Sequence, residues 1–299
     1  MRLMTWNIQW GRGVGPDGPR TVRLEETISR IRYWSPDVIC LQEVCVNFPA
    51  NTDGRDEDQL ALLQIAFPDY QSVFAPTTDW YVPGKVQRFG NMVLSRFPLL
   101  CSRVHLLPSP RDAGAAGISG ARSAAEVWID TPIGLYRIVS THLEYGSFVQ
   151  RRAQVEYVAG LQQGPTLQIA LATADERAHR RVDMFDRRTP VSAVPHACAS
   201  LIVGDFNSPP GGVEFNALGD AGYRDLWQKV HGHRPHVATL SVHHRARPEF
   251  HPICYDFIFG DGQSVDAISD IVVDCEATES DHQPLVATFS ESDRKTGAR

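Results

Sequence analysis

No stretch of the sequence stays apolar for the roughly 20 residues that a membrane-spanning helix needs, so no helical span is expected. The six cysteines (Cys40, Cys45, Cys101, Cys198, Cys254 and Cys275) include no C-x-x-C pair, and several sit inside apolar runs. That usage points to buried free thiols and away from a disulfide framework or a zinc site. Basic residues are not in excess. The formal net charge of -6 gives no global attraction to nucleic acid or to an anionic membrane, although a local basic groove is compatible with it. The opening residues, Met1-Arg2-Leu3-Met4-Thr5-Trp6-Asn7, have no charged region, long apolar core and cleavage site of a secretory signal, and a cytoplasmic protein is expected. No repeat at a solenoid period, no linker and no shift in composition divides the chain. The expectation is one domain over residues 1–290, followed by a polar tail at 291–299.

What is present fits a soluble globular chain with a substantial core: 299 residues, 42% hydrophobic and 21% charged. Residues 3–8 read as a strand, and the Gly- and Pro-dense segment 11–19 as a loop. Thr21 is placed to cap a helix carrying Leu24, Ile28 and Ile31 on one face, ended by Ser35-Pro36. Residues 37–41 read as a strand that delivers Gln42 and Glu43 to its carboxyl end, and Leu60, Leu63 and Phe67 as a second helix stopped by Pro68. Strands are predicted near 70–75, 91–95, 101–106, 122–129 and 134–141, with loops at 76–89 and 108–121. A helix starting near Ser147 carries Val149, Val155 and Val158, and another is predicted over 165–186. Further strands are predicted at 255–260, 268–273 and 284–289. Helices and strands alternate in parts and run consecutively elsewhere, which suits a layered sheet protein better than a purely parallel α/β fold.

The sharpest feature is Leu201-Ile202-Val203-Gly204-Asp205-Phe206-Asn207-Ser208-Pro209-Pro210, a buried strand that stops at a turn. Asp205 and Asn207, two apart, can point to one side, a carboxylate beside an amide donor. An Asx-turn would explain this pair alone. It is not alone, because Asn7, Glu43, His142, Asp256, Asp281 and His282 also lie at or beside predicted strand ends. Together they suggest a shared cleft of hard oxygen donors suited to magnesium or manganese, with two imidazoles able to handle protons near neutral pH.

In this order, Thr5-Trp6-Asn7, Leu41-Gln42-Glu43-Val44, Gly90-Asn91-Met92-Val93-Leu94-Ser95-Arg96, Ser140-Thr141-His142-Leu143, Gly204-Asp205-Phe206-Asn207, Asp256-Phe257-Ile258-Phe259 and Ser280-Asp281-His282 resemble the endonuclease/exonuclease/phosphatase superfamily. The resemblance implies an α/β fold, a four-layer α/β/β/α sandwich of two mostly antiparallel sheets with outer helices. It implies Mg2+-dependent (or Mn2+-dependent) hydrolysis of a phosphate ester. By position, Glu43 would be the principal metal ligand, with Asn7 and Asp281 nearby, directly or through water. Asp256 and His282 would form a carboxylate–imidazole pair, Asp205 would be the rival for water activation, Asn207 would donate to a non-bridging oxygen, and His142 would contact the phosphate from the other side.

Two positions depart from the abasic-site repair branch, which usually has tyrosine where this chain has His142 and an acidic residue where it has Gln9. His142 is what the deoxyribonuclease, sphingomyelinase, inositol-phosphatase and deadenylase-like branches share. Ile253-Cys254-Tyr255-Asp256 replaces the Arg-Ile-Asp-Tyr of many relatives and keeps the Asp without a basic neighbour. His231, His233, His236, His243, His244 and His251 read as a solvated loop, and Arg151 and Arg152 as helix-surface residues beside a possible phosphate-facing role. The resulting expectation is a phosphodiesterase (or phosphomonoesterase) acting by in-line attack of water. The alternatives are a DNA or RNA nuclease, for which Trp80, Tyr81, Lys85 and Arg88 could begin a groove, and a non-catalytic binding module. No obligate protein partner is evident.

Overall fold

The computed structural model of the protein describes residues 1–13, 21–114, 120–161, 166–167, 194–195, 197, 199–243 and 251–290. In chain order its main elements begin with β1 (Arg2–Asn7), α1 (Leu24–Trp34), β2 (Val38–Val46), α2 (Gln59–Ala66), β3 (Gln71–Val82) and β4 (Lys85–Ser95). There follow β5 (Leu99–Leu106), β6 (Ser123–Thr131), β7 (Gly134–His142), α3 (Phe148–Gly160), β8 (Ala199–Asp205) and α4 (Val213–Asp220). The last are β9 (Arg224–Asp225), α5 (Leu226–His231), β10 (Asp256–Gly260), α6 (Gly262–Ala267), β11 (Ile268–Val273) and β12 (Leu285–Phe289). They form two six-stranded sheets, ordered β11-β12-β1-β2-β4-β3 and β9-β10-β8-β7-β6-β5. Each sheet is antiparallel except for one central parallel pair, β1 with β2 and β7 with β8.

Successive strand residues point to opposite faces, and the apolar pattern follows that rule into three clusters. Leu3, Val38, Cys40 and Val93 of the first sheet meet Val127, Ile138, Leu201, Val203 and Ile258 of the second, filling the space between the sheets. Their neighbours Met4, Ile39 and Leu41 point outward and lie under Leu24, Ile28 and Ile31 of α1 and Leu63 of α2. On the far side Val139, Ile202, Phe257 and Phe259 lie under Val155 and Val158 of α3 and Leu218 of α4. Both faces of the central strands are therefore covered, which is why Leu201-Ile202-Val203 reads as an unbroken apolar run. The order is helices, sheet, sheet, helices, a four-layer sandwich.

The structure corrects several local expectations. Residues 76–89 are not a loop: they are the far half of a long hairpin in which Asp79, Trp80 and Tyr81 pair with Arg88, Gln87 and Val86. Thr21 does not cap α1. It pairs with Gly13 in a short ladder, and Arg23 precedes the helix without a side-chain cap, leaving Glu25 and Glu26 in the first turn to complement the helix dipole. Val149 is exposed while Val155 and Val158 are buried. The helix expected over 165–186 lies outside the described residues except for Thr166–Leu167, which is extended.

Candidate active site

The parallel pairs place chemistry at one edge of the sandwich. Asp205, at the end of β8, stands in register with His142 at the end of β7 and with Asp256 at the start of β10. Each lies two or four residues from inward-facing Val203, Ile138 or Ile258, so all three side chains point between the sheets. Gly204 permits this: its φ is +134°, and a Cβ there would lie 1.9 Å from the carbonyl oxygen of Thr141. On the facing sheet Asn7 is in register with Gln42. Its Nδ2 donates to Asp205 Oδ2 at 3.0 Å and to Glu43 Oε1 at 3.1 Å, so one amide ties the two sheets together.

Glu43 reaches this edge through a β-bulge. Leu41 and Val44 both belong to the outward cluster although they are three apart, which strict alternation forbids. The register against β4 slips between them, and Glu43 takes φ +62°. The extra residue turns Glu43 to the same side as Gln42, whose amide reaches Ser140 Oγ of the other sheet at 3.3 Å. A non-glycine residue in the left-handed region of a buried strand costs about 1–3 kcal/mol, a strain that its neighbours hold in place.

Asp281 and His282 arrive on the loop before β12. Trp6 Nε1 donates to the His282 carbonyl at 2.9 Å, Ser280 Oγ donates to the Asn7 carbonyl at 2.6 Å, and Ser280 Oγ accepts from His282 N at 3.2 Å. His282 Nδ1 lies 2.8 Å from Asp256 Oδ2, which assigns the proton to Nδ1, and Nε2 faces Asp205 Oδ2 at 3.7 Å. Asp281 Oδ2 accepts from Gln9 Nε2 at 2.6 Å. His142 stands opposite, with Nδ1 3.9 Å from Glu43 Oε1 and Nε2 3.4 Å from Asp205 Oδ2. Asn207, with φ +48°, donates from Nδ2 to the Leu143 carbonyl and from its backbone N–H to Asp205 Oδ1. All eight residues predicted for the site thus gather at this edge.

The cluster holds more negative charge than its neighbours offset. Burial, then the charges of Asp281 and Asp205, raises Glu43 from 4.5 to about 7. Burial and Asp256 raise Asp205 from 3.8 to about 6 against the pull of His282. Burial opposes the charge of His282, yet Asp256, Asp205 and Asp281 together outweigh it and raise the imidazole from 6.5 to about 10. His142 is driven well below 6.5 by burial and by the positive charges of Arg122 and His282. Burial and mutual repulsion suppress the ionisation of Glu43 and Asp205, and such crowded hard oxygen donors, with Asp281 beside them, fit a divalent cation. Donor atoms of Asp205, Asp256 and His282 all lie within 4.8 Å of one another. Asn7 is less suited to direct ligation in this arrangement, because it turns its NH2 toward the carboxylates while its oxygen accepts from Gln9 N.

The sequence reading missed Arg122 and Glu144, which lie beside His142, and gave Gln9 no contact. Nothing in residue type marks them out; their place depends on the pairing of β6 with β7. Arg151 does not face the cleft: Nε bonds Glu214 Oε1 at 2.7 Å and Nη1 bonds the Glu144 carbonyl at 2.9 Å, while Arg152 pairs with Glu156. Of the histidine-rich stretch, His236 is no solvated residue but a half-buried partner of Asp225 at 2.7 Å that stacks on Trp227, and His231 lies tilted against Trp227 and bonds the Ile271 carbonyl. His243 bonds the Cys275 carbonyl, and His244 lies outside the described residues. Trp80 and Tyr81 are exposed on the hairpin, but Lys85 and Arg88 beside them pair with Asp56 and Asp79.

Two facing sheets with outer helices, closed at one edge by a buried carboxylate–imidazole cluster, define a four-layer α/β sandwich with its candidate site between the sheets. The chain belongs to the Endonuclease/Exonuclease/phosphatase family, whose sequence profile matches residues 4–282. Members of that family hydrolyse phosphate esters. Among solved structures, the chain is similar to an endonuclease/exonuclease/phosphatase from Beutenbergia cavernae DSM 12333, with 24% identity, 97% of this chain and 72% of that one covered, and a TM-score of 0.64. It is also similar to the 3' phosphatase NExo from Neisseria bound to product DNA hairpin (19% identity, 97% and 99% covered, TM-score 0.58). A third is D. rerio TDP2 complexed with single strand DNA product (17% identity, 97% and 98% covered, TM-score 0.60). No curated protein matches the sequence.

Proposed function

We propose that the protein is a divalent-metal-dependent phosphoesterase, with Mg2+ as the preferred ion, that hydrolyses a phosphodiester by in-line attack of water. The observation that carries this reading is the convergence of Glu43, Asp281, Asp205, Asp256 and two histidines from both sheets, with Glu43 raised to about 7 by burial and by the charges of Asp281 and Asp205. Glu43 and Asp281, whose charge acts most strongly on Glu43, would hold the cation, with Asn7 steering Glu43 through its amide, while the Asp205–Asp256–His282 group keeps its donor atoms for protons and the phosphate. When bound, the cation supplies Lewis-acid polarisation of a phosphoryl oxygen and neutralises the charge that builds up in the transition state.

Roles for the chain's own residues follow from the hydrogen bonds. Asp256 holds the His282 ring by Nδ1, leaving Nε2 to face the cleft. An imidazole whose pKa Asp256 and Asp205 raise against burial is a cationic donor that orients a phosphate oxygen, whereas Asp205, whose carboxyl burial and Asp256 raise, has the added basicity to take a proton from water. Asp205 is therefore our choice for the base and His282 for the phosphate-orienting group. Asn207 keeps one amide hydrogen beyond the one given to Leu143, free for a non-bridging oxygen. We place the catalytic unit within residues 1–290 and the chain outside the abasic-site repair branch, a reading supported by His142 and by Gln9, which binds Asp281.

A nucleic-acid substrate is the second reading, favoured by the DNA-bound similar structures and by exposed Trp80 and Tyr81. The acidic net charge and the pairing of Lys85 and Arg88 with carboxylates weigh against it. The test is hydrolysis of bis-p-nitrophenyl phosphate and p-nitrophenyl phosphate with Mg2+, Mn2+ or EDTA, beside His282→Ala. Metal-dependent diester cleavage lost in the variant is expected. Equal cleavage in EDTA would refute metal dependence, and a preference for the monoester would move the assignment to a phosphatase.

A further inference from the structure

The buried guanidinium of Arg122 is unexplained by the carboxylate chemistry. It enters just before β6, 7% exposed, and its Nη1 lies 3.1 Å from His142 Nε2. Its Nε donates to Oε2 of the fully buried Glu144 at 3.2 Å, and its central carbon lies 5.7 Å from the centroid of the Tyr145 ring. Glu144 is itself fixed: Oε1 accepts from Gly146 N at 2.8 Å, and its backbone N–H donates to Gln154 Oε1 at 2.8 Å. Arg122 is thus anchored on the side away from the cleft and aimed at one ring nitrogen.

An arginine has donors only and keeps its charge. A hydrogen bond from Nη1 to Nε2 requires the lone pair on Nε2, so the ring hydrogen belongs on Nδ1, the nitrogen 3.9 Å from Glu43 Oε1. Asp205 Oδ2 also stands 3.4 Å from Nε2, but it accepts from Asn7 Nδ2 at 3.0 Å and does not need a histidine donor. We infer that Arg122 is a positioning residue that locks His142 as a neutral imidazole with Nδ1–H directed into the cleft. His142 then serves as a hydrogen-bond donor to a substrate oxygen and does not deliver a proton to the leaving group. A cationic ring would set its Nε2–H against the guanidinium N–H groups, which this contact forbids. The inference rests on the phosphoesterase reading of the site, but its first test does not need turnover.

Long-range 1H–15N correlation spectra of the 15N-labelled full chain report which ring nitrogen carries the hydrogen. Wild-type His142 is expected in the Nδ1–H form. Arg122→Met should move it to the Nε2–H form facing Asp205, and should lower kcat on the better p-nitrophenyl substrate about 10–100-fold with KM little changed. Arg122→Lys, which keeps a donor, should retain the tautomer and recover part of kcat. Because Arg122→Met leaves Glu144 buried without its cation, Arg122→Met/Glu144→Leu, which removes both charges, serves if the single variant does not fold. An Nε2–H tautomer in the wild type, or an unchanged tautomer in the Met variants, overturns the inference. If the wild type cleaves neither substrate with either ion, the phosphoesterase reading fails, while the spectra still decide the role of Arg122.

Discussion

Replacing Glu43 by glutamine should make the metal-free protein more stable and the metal-loaded protein comparatively less so. Burial, with the charges of Asp281 and Asp205, raises the Glu43 carboxyl from 4.5 to about 7. At about 1.4 kcal/mol for each tenfold change, ionising it in the folded state costs about 3 kcal/mol above neutral pH. The side chain is 16% exposed, so solvent screening trims the figure; a gain of about 1–3 kcal/mol is the working range. Glutamine keeps an oxygen to accept from Asn7 Nδ2, so the inter-sheet tie survives. The sign follows from the direction of the shift. A raised carboxyl gives stability that is fully present below 4.5 and lost as pH rises through about 7. The advantage of Glu43→Gln should be absent near pH 4.5 and complete at pH 8. Thermal unfolding followed by circular dichroism in EDTA at both pH values measures it, with a rise of about 2–5 °C in Tm expected at pH 8. Added Mg2+ should reverse the order, since ligand at a hundredfold over Kd stabilises by about 2.7 kcal/mol and the variant lacks the ligand to respond. A variant no more stable than wild type in EDTA at pH 8, or equally favoured at both pH values, would refute the electrostatic reasoning.

Three further outcomes are expected. Asp256→Asn, which loses the carboxylate that holds His282 Nδ1 at 2.8 Å, should lower kcat on the diester substrate by about 10²–10⁴-fold; wild-type kcat in the variant would remove Asp256 from the mechanism. Gly204→Ala should lose more than about 4 kcal/mol in urea unfolding, because its Cβ would sit 1.9 Å from the Thr141 oxygen; a loss below 1 kcal/mol would show that this parallel pair can part. Among the described cysteines, exposed Cys275 should react with Ellman's reagent in native buffer, while Cys40, pushed by burial to about 12, and buried Cys45 and Cys254 should react only on unfolding. Rapid native labelling of Cys40 would mean that the space between the sheets opens.

The site was legible in the sequence because its residues end strands, and a strand end in this sandwich is also a cleft wall. Asp205, His142 and Asp256 could be read from the polar residues that close apolar runs, without knowing that they share a register. Arg122 could not. It sits before β6, and only the pairing of β6 with β7 brings it to His142. The inner halves of the hairpin at 71–95 were read as strands, but residues 76–89 were not, because that outer part alternates poorly: Trp80 and Tyr81 are both exposed, and the stretch carries the polar residues of a loop. His236 was misjudged because a histidine paired with a buried aspartate looks, by composition, like one in solvent. The bulge at Glu43 was equally hidden, since the identity of the residue records the carboxylate and not the φ of +62° that aims it.

β1 and β12 are neighbours, so the strand that carries Asn7 is paired with the strand that follows His282. Asn7 and His282 are far apart in sequence, yet this one antiparallel ladder, with the bonds from Trp6 to the His282 carbonyl and from Ser280 to the Asn7 carbonyl, brings them to one cleft. The ladder works as a clasp: where it frays, the loop carrying Asp281 and His282 parts from Asn7, and the cluster opens although the parallel pair β7–β8 on the facing sheet stays closed.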